Sequence, residues 1–213
     1  MKTIALIDYG SGNVHSAARA LASAAADAGG DWEVALTAEP SALRAADRIV
    51  LPGVGHFRDC MEGVQTRDGL VEALEEQILD AGKPFLGICV GMQLMADFGL
   101  EDGETRGLGW IHGQVDKIDP GPGFRVPHMG WNELSDTSGH PALANLPREP
   151  HAYFVHSYAF QPEEEERIAA VTDYGTPIIA AVARDNLFGT QFHPEKSQET
   201  GLKILQNWIR WRP

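Results

Sequence analysis

The feature that most limits how this chain can fold is the pattern of short apolar runs that alternate with helical stretches up to residue 89. The runs fall at residues 3–8, 32–37, 48–51 and 85–89. Runs this short are buried on both faces, and parallel neighbours need a long crossover between them, usually a helix. The alternation therefore predicts a parallel sheet covered by helices. Small and apolar residues at 14–28 suit a helix packed closely on that sheet, ended by Gly29-Gly30. Asp68 is placed to cap a helix in which Val71, Leu74 and Ile78 recur at helical spacing up to a stop at Gly82. Beyond Gly103 the pattern changes to β-like runs broken by Gly and Pro, at 108–118, 153–156, 168–172, 178–184 and 187–192. These are expected to form a mixed or antiparallel extension of the same sheet. A helix over 200–211 closes the chain, with Leu202, Leu205, Trp208 and Ile209 on its apolar face. The expected fold is α/β, a central mostly parallel sheet flanked by helices with an antiparallel β extension. Residues 1–213 are expected to form a single domain.

Composition narrows the partners. With 213 residues, 43% of them hydrophobic and 22% charged, the chain has enough apolar surface to build a core without disulfides or metal. A formal net charge of -13 disfavours nucleic acid, whose phosphates attract basic surfaces, and points to a small molecule or another protein. No apolar run is long enough for a membrane span. Residues 1–8 lack the basic and apolar pattern of a secretory signal, so the expected location is the cytoplasm. There the two cysteines, Cys60 and Cys89, would stay as thiols.

The most informative segment is Phe85-Leu86-Gly87-Ile88-Cys89-Val90-Gly91-Met92-Gln93, an apolar strand that runs into Gly-x-Cys-x-Gly and then a short helix. Flanking glycines permit the sharp turn of a nucleophile elbow, which exposes the central side chain at the end of a strand. A thiol there sits at a helix N-terminus, where unpaired N–H groups favour the thiolate. An isolated cysteine is more often a buried core residue; the paired glycines reverse that preference. A cysteine nucleophile needs a base, and the base needs an orienting acceptor. Phe192-His193-Pro194-Glu195 supplies both, because the proline fixes a turn that brings Glu195 back toward the far imidazole nitrogen. Attack on a carboxamide also needs backbone donors for the oxyanion. Pro52-Gly53-Val54-Gly55 follows the third strand and should lie at the same edge of the sheet, so the N–H groups of Val54 and Val90 are the candidate donors. This chemistry calls for no cofactor and no metal.

Together these motifs resemble the class I, triad-type glutamine amidotransferases. Among them the resemblance is to the glutaminase subunits that serve imidazole glycerol phosphate synthase in histidine biosynthesis. The general part is Gly-Ile-Cys-Val-Gly-Met-Gln at 87–93 with His193-Pro194-Glu195. The more specific part is Asp8-Tyr9-Gly10-Ser11-Gly12-Asn13, Pro52-Gly53-Val54-Gly55, Pro127-His128-Met129-Gly130-Trp131-Asn132 and Tyr153-Phe154-Val155-His156-Ser157-Tyr158. The resemblance implies glutamine hydrolysis through Cys89, His193 and Glu195. It also implies a substrate site at Gly53, Gln93, Glu101 and the Ser157-Tyr158 backbone. The implied partner is a (β/α)₈ barrel cyclase subunit in a heterodimer that receives ammonia through a sealed interface, with Trp131, Tyr153 and Lys196 near it. Departures occur at residues 96–109, and Val90 and His112 stand where the family carries Leu and Pro. Two alternatives stay open: a glutaminase serving another acceptor enzyme, and a binding protein that keeps the fold without the reaction.

Overall fold

The computed structural model describes every residue except 11, 12, 136 and 138. Ser11 and Gly12 of the N-terminal motif lie outside the described residues. In chain order the first elements are β1 (Lys2–Ile7), α1 (Val14–Ala28), β2 (Trp32–Thr37), α2 (Pro40–Ala45), β3 (Arg48–Gly53), α3 (Phe57–Gln65) and α4 (Leu70–Glu75). A π-helical turn, Glu76–Asp80, follows before β4 (Phe85–Cys89) and the one-turn helix α5 (Val90–Gln93). Then come β5 (Phe98–Gly99), β6 (Thr105–Arg106), β7 (Gly113–Lys117), β8 (His128–Glu133), β9 (His151–His156) and β10 (Tyr158–Pro162). The chain finishes with β11 (Ile168–Asp173), β12 (Pro177–Arg184), β13 (Leu187–Thr190) and α6 (Gln198–Arg210).

The main sheet has seven strands in the order β11-β12-β13-β4-β3-β1-β2. From β13 to β2 every pairing is parallel, and β12 and β11 add an antiparallel edge. Strands β3 and β4 are buried at every position, which is why they read as unbroken apolar runs rather than as alternation. Helices α1 and α6 pack together, as do α2 with α4 and α3 with α4. With β1 between β3 and β2, crossovers of the usual right-handed sense put α1 on one face and α2 to α4 on the other. Asn13 starts α1, its Oδ1 accepting from the Ser16 N–H at 3.4 Å. Trp208 of α6 is fully buried and donates from its indole nitrogen to the Phe85 carbonyl at 3.3 Å, tying the last helix to the strand that carries Cys89. The Arg48 guanidinium lies 5.5 and 5.2 Å from the centroids of the Trp32 and Trp208 rings and donates to the Trp211 carbonyl. Burial first, then the charge of Arg212, lowers its pKa to about 10, against the opposing pull of Asp47. It therefore stays charged at neutral pH.

Two expectations need correction. Asp68 does not cap a helix: α4 begins after Gly69, which has a φ of 72° and no capping side chain. The turn is made by glycine's left-handed backbone, which no aspartate cap is needed to stabilise. The β-like runs after Gly103 also do not all extend the main sheet. Residues 168–173, 177–184 and 187–190 do so, but β7 pairs with β10 in a separate four-stranded sheet of order β10-β7-β5-β6, and β9 pairs with β8 alone. Apolar alternation reports that a strand has a buried face; it does not report which strand it pairs with.

The elbow after β4 is set by close packing against β3. A Cβ on Gly91 would overlap the Leu51 carbonyl oxygen, and one on Gly87 would lie 2.6 Å from the Gly91 carbonyl oxygen. Both contacts are with backbone, which cannot swing aside as a side chain does. Gly91→Ala is therefore expected to cost about 3 kcal/mol or more, at or beyond the upper end for overpacked sites, and urea denaturation against the parent chain would measure it.

Candidate active site

The carboxyl edge of the parallel strands carries the chemistry, the usual place for a site in an open α/β sheet. Cys89 ends β4 with φ 54° and ψ -113°, a left-handed backbone that a non-glycine residue adopts only under constraint. Gly53, the last residue of β3, pairs directly with Cys89, so the loop carrying Val54 leaves the sheet beside the sulfur. The Tyr9 hydroxyl donates to the Pro52 carbonyl at 2.9 Å and fixes the root of that loop. Cys60 Sγ donates to the Val54 carbonyl at 3.3 Å.

His193 enters from the turn after β13. Its backbone N–H donates to the Tyr153 carbonyl at 3.0 Å, and its carbonyl accepts from Ser197 Oγ at 2.6 Å. Ser197 Oγ in turn accepts from the Tyr153 N–H at 2.9 Å, so one hydroxyl locks the turn to β9. The His193 Nδ1–H donates to Glu195 Oε1 at 2.8 Å, with the two side chains only 3% and 4% exposed. Nε2 makes no hydrogen bond of ordinary geometry among the described residues, and its electrostatic partner is the Cys89 thiol. Burial pushes the imidazole pKa down, but the bonds and charges of Cys89 and Glu195 outweigh it and raise it to about 9. A buried imidazolium beside the sulfur is the favoured state at neutral pH.

Cys89, Val54, Val90, Gln93, Glu101, Ser157, Tyr158, His193 and Lys196 all line one cavity of about 550 Å³. Gly53 lies behind its wall, close to Val90 and the Tyr9 hydroxyl. Gln93 is buried and donates from Nε2 to the Tyr158 carbonyl and to Gln191 Oε1, both at 3.0 Å. Only its Oε1 is left to face the cavity. Glu101 accepts from the Phe57 N–H at 3.0 Å through Oε2, and its Oε1 lies 3.3 Å from His56 Nδ1. One of its oxygens is thus committed to the start of α3. Trp131 and Tyr153 face each other across β8 and β9 with ring centroids 6.0 Å apart, and Lys196 Nζ sits 5.7 Å from the Tyr153 ring.

Three residues with clear roles in this geometry escaped the sequence reasoning: Gln191, His156 and Ser197. Gln191 stands two positions before His193, and that same-face spacing was the available signal. His156 and Ser197 gave none, because the partners that tie them to other elements, His128 and Tyr153, are 28 and 44 positions away. His156 Nδ1–H donates to the Tyr158 carbonyl at 3.0 Å, which leaves its Nε2 to accept from His128 Nδ1–H at 3.0 Å. His128 Nε2 then accepts from Asn132 Nδ2 at 3.3 Å. Burial lowers His128 to about 4. It also lowers His156 to about 3, where the neighbouring His128 adds to the shift. Both rings are neutral, as a chain with one proton per bond requires.

This buried pair generates a pH dependence of stability. From the ordinary value of 6.5 down to about 4 for His128 and about 3 for His156, the unfolded chain takes up protons that the folded chain refuses. Stability should therefore fall as pH drops through that window. The slope of melting temperature against pH, measured by differential scanning calorimetry, should be shallower in a His128→Gln/His156→Gln double variant, in which the carboxylates still titrate.

Comparison with known proteins agrees with this architecture. The family described as glutamine amidotransferase class-I matches residues 5–211. A protein of Mesorhizobium japonicum described as imidazole glycerol phosphate synthase subunit HisH is 52% identical over 214 residues, covering 99% of this chain and 99% of its own. One from Rhodospirillum rubrum with the same description is 52% identical over 212 residues at the same coverage. A solved structure of a glutamine amidotransferase from Thermotoga maritima aligns with a TM-score of 0.63 at 16% identity, covering 98% of this chain and 95% of that one, a likeness of fold. The chain belongs to the class-I glutamine amidotransferase family.

Proposed function

We propose that this chain is the glutaminase subunit of an imidazole glycerol phosphate synthase, hydrolysing L-glutamine to L-glutamate and ammonia. The observation that carries the reaction is the strained Cys89 elbow opening into the same cavity as the buried His193–Glu195 pair. The names of relatives at 52% identity over the full length support the pathway.

In this reading His193 Nε2 already holds the Cys89 proton in the resting enzyme, and the Cys89 sulfur attacks the glutamine carboxamide carbon as the thiolate. The N–H groups of Val54 and Val90 stabilise the oxyanion. The imidazolium then protonates the leaving nitrogen, ammonia departs, and a γ-glutamyl thioester remains. Water, deprotonated by the now neutral His193, releases glutamate and restores the Cys89 thiolate beside the imidazolium. Glu195 holds the imidazole tautomer throughout. Gln93 offers only an acceptor to the cavity, and Glu101 is anionic, so both suit the substrate's α-ammonium group. The Ser157-Tyr158 backbone completes the pocket, and Gly53 backs its wall.

Free ammonia in water is protonated and loses its nucleophilicity, so the product must pass directly to a partner. A (β/α)₈ cyclase subunit in a heterodimer fits this need. The face beside the cavity carries Phe124, Val126, Met129 and Trp131 at 47%, 38%, 61% and 48% exposure, apolar surface of the kind a partner covers. Tyr153 and Lys196 lie at its margin. No helix among the described residues is long and apolar enough to cross a membrane, and a biosynthetic role of this kind belongs in the cytoplasm.

Cys89→Ala should abolish glutamine-dependent turnover of the complex while ammonium salts at alkaline pH still support product formation; surviving glutamine-dependent turnover would remove Cys89 from the reaction. His193→Ala should cost more than Glu195→Ala, because the base acts in both steps and its orienter only holds it. Steady-state rates of the two variants decide this. The pH profile of kcat/KM should fall on the alkaline side near pH 9, where the imidazolium that protonates the leaving group is lost. Glu195→Gln removes one of the interactions that raise the His193 pKa, and should move that limb to lower pH.

A further inference from the structure

Behind the cavity wall a second side chain reaches the sulfur. Gln191 is fully buried, and its Nε2 lies 3.7 Å from Cys89 Sγ. Its own backbone N–H is held by the Ala180 carbonyl at 2.8 Å. The two ends of a glutamine amide are nearly alike in shape, but here the surroundings decide which is which. The Tyr158 carbonyl can only accept, so the Gln93 group facing it at 3.0 Å must be the amino end. The same Gln93 amino group faces the next amide at 3.0 Å, so the near atom of Gln191 must be its carbonyl oxygen. Its NH₂ is then left pointing at Cys89. The Tyr158 carbonyl also accepts from His156 Nδ1, which completes its two lone pairs and fixes the neutral tautomer of that ring. One backbone carbonyl thereby sets the direction of every donor between His156 and the sulfur.

We propose that Gln191 is a catalytic residue that donates an amide N–H to the Cys89 sulfur and holds the thiolate in place for attack, with Gln93 fixing the direction of that donor. The inference rests on Cys89 being the nucleophile. His193 holds the thiol proton, and Gln191 exchanges none; it supplies a neutral, pre-oriented dipole on the side of the sulfur away from the substrate. A buried donor to a developing anion stabilises it without the solvent reorganisation that water would need. A buried glutamine here is also not required by volume alone, since a methionine of similar length would fill the space.

Two variants of the full chain in its cyclase complex test this. Gln191→Glu keeps the acceptor for Gln93 Nε2 and replaces the donor to sulfur by an oxygen. Gln191→Met keeps the length and removes both polar groups. Each should lower kcat for glutamine about tenfold or more, the lower range for loss of a hydrogen bond to a charged group. KM in Gln191→Glu should change little, and ammonia-dependent synthesis should be untouched. The thiolate ultraviolet absorbance, taken as the difference from Cys89→Ala, should fall in both variants. Parent-like kcat and parent-like thiolate absorbance in Gln191→Glu would overturn the proposal, whereas an active Cys89→Ala protein would instead overturn the nucleophile on which it rests. Should both variants fail to fold, the side-chain amide NMR resonance of Gln191 in the parent chain gives the answer. It should differ between the parent and Cys89→Ala, and an identical resonance in the two overturns the contact.

Discussion

The site depends on the backbone-to-backbone approach of α5 to β3. Leu51 and Gly91 sit so close that no side chain fits between them, and Gly87 is crowded in the same way by the turn it introduces. This contact holds Cys89 at a positive φ with its sulfur at the sheet edge. It also places the end of β3 in register with Cys89, so that the loop after Gly53 starts beside the sulfur. A strained backbone of this kind, worth roughly 1–3 kcal/mol, persists only where the surroundings over-determine it. Here the surroundings are two fully buried strands and a helix start packed against both.

The second half of the site comes from a different part of the chain and is fixed differently. His193 is held by hydrogen bonds rather than by close packing: its N–H and carbonyl both reach β9, one directly and one through Ser197. β9 belongs to neither the main sheet nor the four-stranded sheet, and it carries a half-buried Tyr153 and a buried His156. Any shift of β9 therefore acts on His193, on the Tyr158 carbonyl and on the Trp131–Tyr153 pair together. The Cys89 side is held by close packing, and the His193 side is coupled to a two-stranded ribbon at the surface. That division suits the partner surface proposed for the ribbon.

Electrostatics separate the histidines by environment. His193 is buried with a carboxylate and a thiol, and its pKa rises to about 9. His128 and His156 are buried with each other and with a backbone carbonyl, and theirs fall to about 4 and about 3. Burial acts downward on all three, so the presence of negative partners decides the sign. One is poised to carry a proton, and the others are fixed as neutral links between the surface ribbon and the buried amides.

The sequence by itself determined the class of fold and the local devices of chemistry. Unbroken apolar runs mark strands buried on both faces, and Gly-x-Cys-x-Gly and His-Pro-Glu impose their turns through bonded geometry within a few residues. Such short-range constraints are readable from the chain because the interacting atoms are close in sequence. Pairing partners were not readable: the runs at 108–118 and 153–156 leave the main sheet because strand partners are chosen by packing over long separations. The same reason hid Gln191, whose amide meets Gln93 across 98 positions and Cys89 across 102. Its role lies in the direction of a hydrogen bond, and only the tertiary structure, by bringing the Tyr158 carbonyl to one end of the chain of amides, decided that direction.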